Sequence, residues 1–214
     1  MPEVNGSAKY YKFLEKLLVH AVAMKYNGKM KGNLHMENFG DGKQVYIRKL
    51  SKENYSVYRD VNYSRSLFQK VFDDNLMQGI WKMANAEDIL VCTIIEKAGK
   101  EICGFCQLDK IDTSTPYIGI DMRDGYMGKG YAQEAVRLLI DYASKHYDVD
   151  NFIWKADKDN FESRHIAEKL GGQLLAEKTA LQQSVIDFGK ANGTFTDEDI
   201  TYVCVYRIEK SCAK

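Results

Sequence analysis

The chain has no excess charge of either sign: lysine plus arginine and aspartate plus glutamate number 30 each among 214 residues. A balanced surface lacks the basic field that holds a phosphate backbone, so nucleic acid is not an expected partner. Long apolar runs are missing too. The greasiest stretch, Leu17 to Met24, is broken by His20 and falls well short of the roughly 20 residues that cross a bilayer. No basic segment or small-residue cleavage site brackets it. A cytoplasmic protein with no membrane partner is the expectation. Paired cysteine motifs are scarce. Of the five cysteines, Cys92, Cys103, Cys106, Cys204 and Cys212, only Cys103 and Cys106 form a CxxC, inside the strand-like run EICGFCQL. Strand alternation sends residues three apart to opposite faces, which makes chelation or a disulfide awkward, and no second CxxC completes a zinc site. Reduced, buried thiols are the reading. His20, His35 and His146 show no ligand spacing and the direction His165 faces on its short helix is undetermined, so no metal is expected.

What is present begins with a hydrophobic fraction of 45 %, enough for one core in a domain with an extension. Apolar residues at Tyr10, Phe13, Leu14, Leu17, Leu18, Ala21 and Val22 line one face of a helix over Ser7 to Lys25. A glycine- and asparagine-rich segment to Lys43 reads as a linker or irregular crossing. Gln44 to Leu50 alternates as a strand, and Ser51 then caps a helical region from Lys52 to Ala84, broken near Asn62 and at Asp73 and Asp74. Strands follow at Asp88–Glu96, Glu101–Ile111 and Thr115–Met122. After a long helix come a strand (Asn151–Ala156), a helix (Asn160–Leu170, stopped by Gly171 and Gly172) and strands at Gln173–Lys178 and Ile200–Ile208. This order describes an α/β fold, antiparallel in its first half and gaining crossover helices in its second.

The stretch Tyr117 to Ala143, YIGIDMRDGYMGKGYAQEAVRLLIDYA, joins a short strand to that long helix through a glycine-bearing turn, with Gly128, Lys129, Gly130, Tyr131 and Ala132 in the helix's first turn. Such a junction aims unpaired backbone N–H groups, at the positive end of the helix dipole, toward an anion. The glycines serve either a tight turn or the approach of a phosphate-bearing ligand. Residues Met127, Gly128, Lys129, Gly130, Tyr131 and Ala132 stand where the GNAT superfamily of acetyl-CoA-dependent N-acetyltransferases has Arg or Gln, any two residues, Gly, any residue, then Gly or Ala. Met127 departs from that pattern, removing one polar side chain near the pyrophosphate. Asn160, Phe161, Glu162 and Ser163, followed by Glu168, Lys169, Leu170 and Gly171, resemble the Asn-x-x-Ser and EKLG segment of the subfamily that includes ribosomal-protein N-terminal acetyltransferases.

The resemblance covers about Val45 to Ile208. It implies a GNAT-like mixed, largely antiparallel twisted sheet with crossover helices, an N-terminal helical extension over residues 1–43 and an acetyl-CoA-dependent N-acetyltransferase domain over 44–210. Acetyl-CoA is the implied co-substrate. The implied partner is an amine-bearing acceptor, a small molecule or a peptide N-terminus, with a homodimer among the assemblies left open.

An amine of pKa about 10.4 is neutral in only about one molecule in two thousand at pH 7, so it must lose a proton before attacking a thioester. The family often carries a Glu where this chain has Tyr117. Tyr117, Gly119 and Asp121 share one strand face, which makes Asp121 the candidate base, alone or through water, with Tyr117 lining the same pocket; the alternative is a solvated Asp at a strand end. Ser163 resembles the family's sulfur-facing hydroxyl, a candidate acid, or is an ordinary serine near a helix start. The backbone N–H near Met122 is placed to polarise the thioester carbonyl. Asn160 hydrogen-bonds the pantetheine arm, caps its helix, or does both. The connection Thr179 to Asp199 either closes over the acceptor or decorates the surface. Two hypotheses stand: an active acetyltransferase acting on a primary amine, or a silent acyl-CoA-binding domain that kept the cradle and lost the base.

Overall fold

The computed structural model describes residues 38–63 and 74–210, with backbone alone for 62, 63 and 74–77. The strands are β1 (Asn38–Asp41), β2 (Val45–Lys49), β3 (Ile89–Glu96), β4 (Ile102–Asp109), β5 (Tyr117–Met122), β6 (Asn151–Asp157), β7 (Gln173–Thr179) and β8 (Tyr202–Glu209). The helices are α1 (Tyr55–Tyr63), α2 (Asp74–Ala84), α3 (Tyr131–His146), α4 (Phe161–Lys169) and α5 (Gln183–Ala191). All eight strands join one sheet in the order β1-β2-β3-β4-β5-β6-β8-β7. Every neighbouring pair is antiparallel except β5 and β6. The helix between those two strands, α3, is the crossover that a parallel pair requires.

Helices cover both faces of the sheet's centre, and the central strands read accordingly as unbroken apolar runs. In β3, ILVCTIIE, the six inner residues are all buried. One face packs on α3, whose Ala135, Val136, Leu139, Ile140 and Ala143 form the buried stripe of an amphipathic helix. These residues share a core with Val45, Ile47, Cys92, Ile94, Leu108, Phe152 and Trp154. The other face carries a smaller cluster in which Tyr58 of α1 meets Phe105 of β4 edge-on, with ring centroids 5.1 Å apart.

Several local readings change. The segment before Lys43 is not wholly irregular, because Asn38–Asp41 is the edge strand β1. Four residues carry no usable periodicity; what fixes them is burial of Phe39, whose ring centroid lies 4.4 Å from that of Tyr142. Gly40 lets β1 approach α3, since a Cβ there would stand 2.8 Å from the Cβ of Leu138. The long helix starts at Tyr131, after Gly130 in the left-handed region (φ 81°), so Gly128, Lys129 and Gly130 belong to the loop. Ser51 occupies a cap position but its hydroxyl makes no cap bond.

Cys103 and Cys106 do not point apart. Ile94 faces Gly104 while Ile95 faces Ile102, so Cys103 is an extra residue in a bulge, and both thiols enter the α3-side core. They are free thiols. The expected helix over Ser7–Lys25, the middle of the expected helical region over residues 64–73, and Cys212 lie outside the described residues.

The packing sets an expectation for stability. Leu139 is fully buried at the centre of the α3 stripe, whereas Leu174 on β7 is 55 % exposed. Leu139→Ala should destabilise the fold by about 2–5 kcal/mol, and Leu174→Ala by less than about 0.5 kcal/mol, in chemical denaturation.

Candidate active site

β5 and β6 pair at Tyr117 with Ile153 and at Ile118 with Trp154, and the ladder stops there. Beyond that point β5 is held through Met122 by β4 alone, and β6 is held through Asp157 by β8 alone. The sheet opens into a cleft between two strands that began as neighbours. The register identifies which backbone groups face it. Arg123 N–H bonds the carbonyl of Cys103, 2.9 Å away, so the alternation of an antiparallel ladder turns the odd residues of β5 toward β4 and leaves Ile120 and Met122 facing the cleft.

At the mouth of the cleft lies the loop from Arg123 to Gly130. Gly125, Gly128 and Gly130 have φ of 84°, 73° and 81°, conformations that L side chains rarely adopt. A Cβ at Gly128 would meet nothing within 4 Å, and one at Gly130 only Nε2 of Gln44 at 3.9 Å. The loop therefore borders open space at the N-terminus of α3, and Gly130 supplies no side-chain cap to the helix's first N–H groups. These are the ingredients of an anion seat.

Side chains from the β3–β4 hairpin brace the loop. The Tyr126 hydroxyl donates to Glu101, and that bond pushes the Tyr126 pKa up to about 12. The Tyr131 hydroxyl donates to Glu96 Oε2 at 3.2 Å, and Arg123 Nη1 donates to the carbonyl of Ile102 at 2.6 Å. The Lys129 ammonium stands 5.0 and 6.0 Å from the ring centroids of Tyr126 and Tyr131, keeping a cation beside the glycines. Glu134, the one acid in the first turn of α3, is turned away: its carboxylate accepts the N–H groups of Lys43 and Gln44, the latter at 3.1 Å.

α4 borders the cleft on the same face of the sheet. Asn160 caps it, Oδ1 accepting the Ser163 N–H at 3.0 Å. Ser163 Oγ accepts the indole N–H of the buried Trp154 at 3.0 Å. That bond engages an oxygen lone pair and leaves the hydroxyl proton to be donated elsewhere. Because Trp154 is the last β6 residue paired with β5, Ser163 is fixed at the point where the strands part. His165, on the same helix, is exposed.

The opposite face of β5 presents a different surface. Asp121 opposes Phe105 in the register and is exposed on the α1 side, not the α3 side. Gly119 makes room for Gln107, whose Cγ would lie 2.9 Å from a Cβ there and whose Nε2 bonds Asp109 at 3.1 Å. Two ammonium groups approach the Tyr117 ring, Lys110 at 5.2 Å and Lys155 at 4.3 Å from its centroid. Sequence reasoning overlooked Trp154 and both lysines. Alternation along NFIWKA already separates Trp154 from Lys155, but the convergence of Lys110 and Lys155 on Tyr117 depends on strand order.

A mixed sheet that splits after two parallel pairs, with a glycine loop and an uncapped helix at the opening, defines an acyl-CoA-dependent transferase architecture. Residues 43–173 match the Acetyltransferase (GNAT) domain, and the chain belongs to that family. It is an acetyltransferase that uses acetyl-CoA. Among curated proteins it is similar to the uncharacterized N-acetyltransferase p20 of Bacillus licheniformis, 31 % identical over 144 residues, covering 67 % of this chain and 73 % of that protein. Its fold resembles the Vibrio cholerae spermidine N-acetyltransferase in complex with CoA and spermine. That likeness has a TM-score of 0.62 and 13 % identity, and covers 79 % of this chain and 98 % of the other. It also resembles RimL, a ribosomal L7/L12 α-N-protein acetyltransferase, with a TM-score of 0.60, 14 % identity, and 81 % and 98 % coverage. Among the described residues no group of three or more His, Cys, Asp or Glu could hold a metal ion, and no helix is long and apolar enough to cross a membrane.

Gly130→Glu places bulk and negative charge at the seat. It should weaken CoA binding at least about a hundredfold by calorimetry, with a circular dichroism melt as the folding control. Unchanged affinity would remove the phosphate seat from this loop.

Proposed function

We propose that the chain transfers the acetyl group of acetyl-CoA to a primary amine, of a small molecule or a protein N-terminus, by direct attack in a ternary complex. The observation that carries this reading is the β5–β6 ladder that ends at Ile118 and Trp154. It leaves a slot through the sheet, with the glycine loop on the α3 face and Asp121 on the α1 face. Neighbours of this fold carry names for both a polyamine and a protein α-amine acceptor.

In this mechanism the pyrophosphate rests on the backbone N–H groups at Gly128, Gly130, Tyr131 and Ala132, with Lys129 supplying charge. Met127 is exposed at the loop and contributes no charge. Asn160 lies beside the pantetheine arm, which extends along the free edge of β5. The Met122 N–H faces the thioester oxygen and stabilises the negative charge that develops there.

The acceptor comes from the α1 side. Asp121 takes its proton, directly or through one water, and the nitrogen attacks the carbonyl carbon. As the C–S bond breaks, Ser163 gives its proton to the leaving sulfur and regains one from the second proton that the acetylated nitrogen sheds. The Trp154 indole holds the hydroxyl in that direction. Tyr117 lines the acceptor end of the same face.

Ser163→Ala should lower kcat about tenfold to hundredfold with little change in the KM for acetyl-CoA, and Asp121→Asn should lower it about a hundredfold or more. Steady-state thiol release against a panel of amines measures both. Tight CoA binding without turnover on any amine would instead identify a silent acyl-CoA-binding domain.

A further inference from the structure

The acceptor face of β5 is electrically two-ended. At one end, just past the split, is Asp121. At the other, four residues away and about 13 Å along the strand, the Lys110 and Lys155 ammonium groups stand 5.2 and 4.3 Å from the Tyr117 ring centroid. They are therefore separated by no more than about one Debye length at 0.1 M salt, ~10 Å. Among the described residues neither ammonium has an ion pair or a side-chain hydrogen bond. Asp109, opposite Tyr117 in the β4–β5 register, accepts the Gln107 amide and keeps its charge, so with the two lysines this end of the face carries a net positive charge of one.

Both ammonium groups are held on the Tyr117 ring at the acceptor face, so an anion arriving there meets two cations already in position. Lys110 comes from the β4–β5 turn, where its φ is 58°. Lys155 comes from β6. The cluster is thus assembled by the sheet and is not an accident of neighbouring sequence.

We propose that Lys110, Lys155 and Tyr117 form an anion subsite for the acceptor. The substrate class is then an amine that carries a carboxylate or phosphate several bonds away, with its amine toward Asp121 and its anion between the lysines. A polyamine would meet like charges at this end. The inference rests on the acetyl-transfer reading above and names the acceptor's chemistry.

Three acceptors of one length test it: ε-aminocaproate, ε-aminocaproamide and hexamethylenediamine, whose far ends are anionic, neutral and cationic. The expected order of kcat/KM is acid, amide, diamine, with about tenfold or more between the first and last, the value of one charge-assisted contact. Lys110→Gln/Lys155→Gln should collapse that preference to within about twofold, and Lys155→Glu should reverse it. A wild-type enzyme that favours the diamine, or a preference that survives the double substitution, overturns the subsite.

Binding separates this failure from failure of the acetyl-transfer reading. N-acetyl-ε-aminocaproate and N-acetyl-ε-aminocaproamide are titrated calorimetrically into the CoA-saturated protein. Preference for the acid supports the subsite even where no acceptor is turned over, and equal affinities reject it even where amines are acetylated.

Discussion

The structure depends on one interrupted set of hydrogen bonds. A sheet gains by continuing its ladders, because each backbone N–H and C=O left unpaired away from water carries a desolvation penalty. Between β5 and β6 pairing nevertheless ends after Ile118 and Trp154, while both strands continue. The interruption is sustained from outside. β4 holds β5 through Met122, and β8 holds β6 through Asp157, so each strand stays extended without the other. The consequence is a row of backbone groups at Ile120 and Met122 that a ligand with alternating amides can satisfy. A pantetheine arm is such a ligand, and in the proposed reaction it would add to this free edge as a strand does.

The surrounding elements are arranged around that edge. α3 and α4 lie on one face and begin near the opening, so the loop at Gly128–Gly130 and the Asn160 cap flank it. The hairpin contacts of Tyr126 and Tyr131 with Glu101 and Glu96 keep the glycine loop in place despite its three left-handed residues. Trp154 joins the core to the opening: its ring is part of the core and its N–H bonds Ser163 Oγ. The α1 face is polar where it borders the slot, with Asp121 at one end and the lysine pair at the other. In the proposed reaction the two substrates would reach one carbonyl carbon from opposite sides of the sheet.

Much of this could be read along the chain. The central strands were visible as apolar runs, α3 as a periodic stripe, and the left-handed glycine loop as glycines between a strand and a helix. The misreadings have local causes. β1 is too short for periodicity and exists because Phe39 and Gly40 fit against α3. The bulge at Cys103 reverses the alternation that had sent Cys103 and Cys106 apart. The break in the β5–β6 ladder and the meeting of Lys110 with Lys155 are properties of strand pairing, which no single stretch of sequence encodes.

The central claim concerns the free edge of β5, and amide hydrogen exchange reads that edge residue by residue. With saturating CoA, exchange at Ile120 and Met122 should slow at least about tenfold, together with the first-turn amides of α3 at Tyr131 and Ala132, while the β7 edge stays unchanged. Protection confined to other parts of the chain, with Ile120 and Met122 exchanging as fast as in the free protein, would contradict the account.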